Sequence, residues 1–213
     1  MSQYNLARNE SSKPRALLLK RRANILSQRM NAKQGYEMAT LSKPQIITLL
    51  QRLGELAAER QTEIELLLLG GAAMVLEYEH RLTTRDVDVL IVTPPETAIV
   101  RELVKQVAAE SDIPEDWLND AAKAYVRGWS KGQTVFEALG IVVKTPASAQ
   151  LLAMKLCAWR DDVDIGDARR LLSELTGARE EIWNALEPYL APGHELKAQY
   201  AFQDLWETSH DKN

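Results

Sequence analysis

Two features in the stretch LLLLGGAAMVLEYEHRLTTRDVDVLIV, Leu66 to Val92, cost stability where they stand: an apolar run ends in Gly70-Gly71, and the next apolar run opens with Asp86 and Asp88. Side chains alternate along a strand, so carboxylates two residues apart project on one face, with Val87 and Val89 on the other. Such a pair repels itself, and the adjoining Leu90-Ile91-Val92 run hinders its solvation, so a shared cation offsets both costs. Mg²⁺ suits the pair, because it takes oxygen ligands and is held by one or two carboxylates plus substrate phosphates and water. A D-x-D also serves simply as two acids at the exposed mouth of a strand. Gly70-Gly71 supplies context: it stands between a strand-like run and a helical one, where missing side chains let backbone N–H groups approach a phosphate and a helix N-terminus favours an anion.

Further along, SAQLLAMKLCAWR has helical spacing that puts Leu151, Leu152, Lys155, Ala158 and Trp159 on one stripe, so the Lys155 ammonium emerges from an apolar surface. A lysine there either snorkels to water or meets an anion, and Met in its place is expected to be near-neutral for folding. In DDVDIGD, Asp164 reads as an N-cap and Asp167 as an acid of the first helical turn. The single cysteine, Cys157, reads as a small core residue and has no partner for an internal disulfide.

Positioning these residues falls to a regular series of elements. Ser42 reads as the N-cap of a helix with Pro44 in its first turn and Ile46, Leu49, Leu50, Leu53 and Leu56 at helical spacing. EIELLLLGG and DVDVLIV read as short buried strands, the second stopped by Pro94-Pro95, with AAMVLEYE a helix between them. PETAIVRELVKQVAAE is a helix, IPEDWLNDAAKAYV a loop leading into another, and TVFEALGIVVKTP one or two strands. DARRLLSELTG is a helix closed by Gly177, and residues 182–190 and 196–206 are C-terminal helices in which Trp183, Phe202 and Trp206 pack. Trp117 is either a packing anchor or part of a substrate loop.

The sequence LGG at Leu69 to Gly71, followed by DVD at Asp86 to Asp88, resembles the signature of nucleotidyltransferases of the DNA polymerase beta superfamily. RLTTRDVDVLIV, PEDWLND and LLAMKLCAWR are similar to the AbiEii-like bacterial toxin nucleotidyltransferases and their relatives, over roughly Glu63 to Leu175. The resemblance implies an α+β (α/β-like) nucleotidyltransferase fold: a small mixed sheet flanked by helices, with a C-terminal helical part. The expected divisions are a basic, flexible arm at 1–40, a core at 41–146, and a helical part at 147–213 packed on the core. It further implies Mg²⁺ held by Asp86 and Asp88, and an NTP whose phosphates meet Gly70, Gly71, Arg85 and Lys155. Lys155 joins the two aspartates in catalysis, and Asp164 or Asp167 gives acidic support. Many members carry a third metal-binding carboxylate on a later strand, but GIVVKTP offers none and Glu137 is the nearest candidate. The implied reaction moves an NMP to a macromolecular acceptor, tRNA first and a protein hydroxyl second, in a chain that is the toxin partnered by an antitoxin. The rival reading is a catalytically degenerate nucleotide-binding or protein-interaction module with the same fold.

A hydrophobic share of 46% and a charged share of 26% match an ordinary globular chain. No membrane-length apolar stretch and no secretory signal core is evident, so the expectation is a cytoplasmic protein that does not associate with membranes. The formal net charge of −4 hides an asymmetry: residues 1–37 hold eight Lys or Arg against two Glu, leaving the arm at +6 and the remainder at −10. That arm contains ALLLKRRANILSQRM, a candidate amphipathic helix, and reads either as an RNA contact or as a solvated tail. The globular pattern begins only after it, which makes Met38 a candidate natural start. A nucleic-acid-binding protein led by the arm is a weaker reading, because the body is acidic and lacks an evident stripe of base-stacking aromatics.

Overall fold

A computed structural model describes residues 40–130 and 132–210. The basic arm, its candidate helix and Met38 lie outside the described residues, and a single compact unit begins at Thr40. The elements run β1 (Leu41–Ser42), α1 (Lys43–Glu59), β2 (Ile64–Leu68), α2 (Gly70–Leu76), β3 (Thr83–Thr84), β4 (Val87–Thr93), α3 (Thr97–Ser111) and β5 (Leu118–Asn119). A 3-10 turn at Ala121–Tyr125 follows, then β6 (Thr134–Ala138), β7 (Ile141–Lys144), α4 (Ser148–Ala158), α5 (Asp162–Leu172), α6 (Arg179–Leu186), a 3-10 turn at Glu187–Tyr189 and α7 (Glu195–His210). The fold is α+β: a five-stranded mixed sheet in the order β5-β4-β2-β7-β6, flanked by helices and continued by a helical C-terminal part.

β2 lies at the centre of the sheet, antiparallel to β4 and parallel to β7. Its Leu66, Leu67 and Leu68 are all buried, as a strand covered on both faces requires. One face carries Ile64, Leu66, Leu68, Val87, Val89, Ile141 and Val143, all buried under α1 and α3. Asp88 alternates with Val87 and Val89, so it projects on the opposite face. On that face Leu67 pairs with Leu90, and Glu65 meets Lys144 at 2.6 Å.

α1 begins where Ser42 and Pro44 place it, with the Gln45 carboxamide oxygen accepting from the Ser42 N–H at 2.9 Å and its hydroxyl at 2.6 Å. In the helical part, Trp183, Phe202 and Trp206 form one aromatic cluster with ring centroids 5.4 and 5.8 Å apart. Cys157 is buried there, its sulfur accepting from the Ala191 N–H at 3.4 Å, and burial pushes its thiol pKa up.

Four local expectations are corrected. β4 opens at Val87, so Asp86 sits in the bend before the strand. IPEDWLNDAAKAYV holds a two-residue edge strand and a 3-10 turn rather than a loop and an α-helix, because the Trp117 ring is buried with its Nε1–H donating to Val104 O at 3.2 Å, and the Val87 N–H donates to Trp117 O at 2.7 Å. α5 ends at Leu172, not at Gly177. Its N-cap is Asp161, whose carboxylate accepts from the Asp164 N–H at 3.0 Å; Asp164 is therefore in the first turn and Asp167 in the helix body.

Candidate functional site

The β2–α2 junction is shaped by Asp88. The Leu69 N–H donates to Asp88 O at 2.8 Å, and Gly70 turns the chain at φ +57°. A Cβ on Gly70 would stand 2.5 Å from Asp88 Oδ2, so only glycine combines that backbone conformation with that approach. A Cβ on Gly71 would stand 2.5 Å from Thr84 Oγ1 and 3.1 Å from Arg81 Nη1. The missing side chains thus admit the Asp88 carboxylate at Gly70 and the β3 edge at Gly71.

The Asp86 charge acts on the Asp88 carboxyl. Burial first, and the Asp86 charge second, push the Asp88 carboxyl up to about 6, while Lys155 and Arg160 act in the opposite direction. The Asp88 carboxylate accepts no hydrogen bond from the described residues; the Asp88 oxygen that meets the Leu69 N–H is the backbone carbonyl. Asp86 is oriented from the edge strand, its Oδ2 accepting from Asn119 Nδ2 at 2.9 Å, and Asn119 is in register with Asp88. Of the two readings of Trp117 the packing anchor holds, and the same segment supplies one orienting amide, Asn119.

Lys155 does not snorkel to water: it is 8% exposed and pairs with two buried carboxylates, Asp164 Oδ1 at 3.0 Å and Asp167 Oδ2 at 2.6 Å. The expectation that Met would replace it at little cost is corrected accordingly, since Met would remove a shared counter-charge. Arg81 forks onto Asp167, its Nε 2.7 Å from Oδ1 and its Nη2 bonded to Oδ2. Arg160 Nε donates to Asp164 Oδ2 at 3.0 Å. Burial opposes the Asp164 charge, but Lys155 and Arg160 together hold its carboxyl below the usual range. Trp159, at φ +28° between α4 and α5, makes the tight turn that folds these acids back on Lys155.

Three cations thus face two carboxylates, leaving one positive charge beside the Asp86–Asp88 pair. A cavity of about 190 Å³ opens there, bounded on its charged side by Gly70, Asp88, Lys155, Arg160 and Asp164. Its apolar wall is formed chiefly by Met74, Tyr125, Leu151, Met154 and Leu171. Of the residues singled out from sequence, Gly70, Asp88, Lys155 and Asp164 line the cavity, Asp86 sits in the bend before β4, Asp167 lies buried behind Lys155, and Gly71 faces Thr84. Arg85 is exposed and does not line the cavity. Sequence reasoning missed Arg81, Asn119, Tyr125 and Arg160. Arg160 carried a signal in its i,i+4 spacing to Asp164, whereas Arg81 and Asn119 sit in segments without periodicity.

Glu137, the nearest candidate for a third sheet carboxylate, lines a separate cavity of about 420 Å³ with Glu63, Glu65 and Lys144. Among the described residues no group of three or more His, Cys, Asp or Glu gathers as a metal cluster. Nor is any helix among them long and apolar enough to cross a membrane.

No protein-family model matches this chain, and no curated protein does. Among solved structures, it is similar to an antigenic nucleotidyltransferase-like protein from Paracoccidioides brasiliensis, at 15% identity and a TM-score of 0.47, over 81% of this chain and 92% of that one.

Proposed function

We propose that this protein is a Mg²⁺-dependent nucleotidyltransferase that moves a nucleoside monophosphate from an NTP to a macromolecular acceptor and releases pyrophosphate. The observation that carries the reading is the meeting, in one cavity, of a hydrogen-bond-poor carboxylate with its own charged neighbour on one side and a fixed, net-positive ion network on the other. The donor set fits Mg²⁺: two oxygen-bearing side chains, of which Asp88 is opposed as an anion by burial and by the Asp86 charge, with room left for phosphate oxygens and water. Bound there, the metal would supply charge neutralisation at the triphosphate.

The chain's own residues do the remaining work. Asn119 orients Asp86, and Gly70 leaves Asp88 unobstructed. Lys155 and Arg160 set positive charge beside the phosphates without reorganisation, because Asp164 and Asp167 hold them in place. Met74, Tyr125, Leu151 and Met154 form an apolar wall for the nucleoside and keep water from the reacting phosphorus. The acceptor we favour is tRNA, with a protein hydroxyl second, and the corresponding biological role is the toxin of a toxin–antitoxin pair.

A second reading, a nucleotide-binding module without turnover, is favoured by two observations: Lys155 is engaged by two carboxylates, and β7 presents Lys144 rather than an acid on the Asp88 face. Incubation of the purified protein with Mg²⁺, each α-labelled NTP and a cell extract, followed by separation of RNA from protein, distinguishes the two. Label in either fraction that is lost with Asp88→Asn supports transfer and names the acceptor class. Tight NTP binding without label supports the inactive module.

A further inference from the structure

The segment AAKAYVRGWS, Ala121 to Ser130, alternates cation and aromatic at every second position: Lys123, Tyr125, Arg127, Trp129. It contains no carboxylate, in a body whose net charge is strongly negative. Asp120, just before it, is shared by Arg101 at 3.0 Å and Lys123 at 2.8 Å, so positive charge is in excess there. The first half of the segment belongs to the cavity, since Ala121, Ala122 and Tyr125 line it.

The second half is pinned in place. Gln150 is fully buried on α4; its Nε2 donates to Arg127 O at 3.3 Å and Gly128 O at 3.2 Å, and its Oε1 accepts from the Ser130 N–H at 3.0 Å and hydroxyl at 2.7 Å. Ser130 Oγ in turn accepts from the Ala147 N–H at 2.8 Å. A buried carboxamide satisfied wholly by one loop fixes that loop's backbone. Gln150 precedes Lys155 by five residues on the same helix, about 7.5 Å along its axis. Yet the loop so fixed holds the Trp129 ring 58% exposed, although burying an indole is among the larger apolar gains a side chain offers. Beside it, the exposed Arg127 guanidinium has a contact of only 3.4 Å, to Leu190 O.

We propose that Ala121–Ser130 is the docking lip for a single-stranded nucleic-acid acceptor, with Trp129 as the stacking platform for a base and Arg127 as the phosphate contact. The proposal rests on the nucleotidyl-transfer reading for what happens next, but not for the binding itself. Single strands fit because every unpaired base offers a π-face that a rigid exposed ring can stack on, whereas a duplex buries those faces. The arginine fork adds a charge-assisted contact to the backbone that positions the strand without reading its sequence.

The test uses the full chain with neither NTP nor Mg²⁺, and measures fluorescence anisotropy of a labelled single-stranded RNA or DNA oligonucleotide of about ten nucleotides. Trp129→Ala is expected to weaken binding about tenfold or more, and Trp129→Phe to restore most of it. Arg127→Gln is expected to weaken binding and lower the slope of log affinity against log salt by about one. Trp129 is exposed, so melting temperatures should match the parent. Asp88→Asn should bind the oligonucleotide no more weakly than the parent; loss of transfer with retained binding then separates a failure of the catalytic reading from a failure of this one. The proposal is overturned if the parent does not bind, if Trp129→Ala binds like the parent, or if a duplex binds as tightly as the single strand. It is equally overturned if Trp129→Ala spares RNA binding and abolishes labelling of a protein acceptor.

Discussion

The surroundings of Asp88 oppose its charge. Because burial and Asp86 raise its carboxyl from an ordinary 3.8 to about 6, the native state holds that proton more tightly than the unfolded chain. The resulting contribution favours folding fully below about pH 4 and is lost as pH rises through about 6. Asp88→Asn should therefore be more stable than the parent above about pH 6 without divalent cation, and should lose that advantage below about pH 4; urea midpoints across this range measure it. A variant less stable than the parent at pH 7 would make the carboxylate a structural group. Lys155→Met is expected to destabilise, by roughly 3 kcal/mol at pH 7, because two buried carboxylates lose a shared cation while Arg81 and Arg160 remain. An unchanged urea midpoint would contradict the ion network. The D-x-D pair was singled out from its spacing together with Gly70-Gly71, although Asp86 lies in the bend before β4 and not in the strand itself. The network was not, because Lys155 meets partners nine and twelve residues later only through the tight turn at Trp159.

At the scale of elements, the β2–α2 junction carries the site. Gly70→Ala places a side chain in the left-handed region, at about 1–2 kcal/mol, and drives its Cβ into Asp88. We expect a lower melting temperature together with weakened Mg²⁺ binding by calorimetry; a variant that melts lower but binds Mg²⁺ normally would separate the junction from the metal site. Long periodic elements such as α1, α3 and β4 were readable because apolar spacing declares them. β5 was not, since two residues hold no period and the strand exists only because β4 and the Trp117 seat define it. The end of α5 was misread for a related reason: Gly177 is a suitable terminator, but the helix stops five residues before it.

Across the whole molecule, the Arg81–Asp167–Lys155 links tie the loop before β3 to α4 and α5, so the sheet and the helical part should unfold together. Far-ultraviolet circular dichroism and tryptophan fluorescence are expected to give coincident urea transitions; two separated transitions would show that the helical part is an independent unit. The same links place net positive charge beside an acidic pair inside a chain that is acidic overall, an arrangement that suits the proposed metal-bound triphosphate. The most direct test of that account is a paired labelling experiment with NTP carrying the label at either the α or the γ phosphate. The account predicts Mg²⁺-dependent transfer of the α label to a macromolecule, no transfer of the γ label, and loss of the signal with Asp88→Asn. Transfer of the γ label, or α transfer that survives Asp88→Asn, would contradict it.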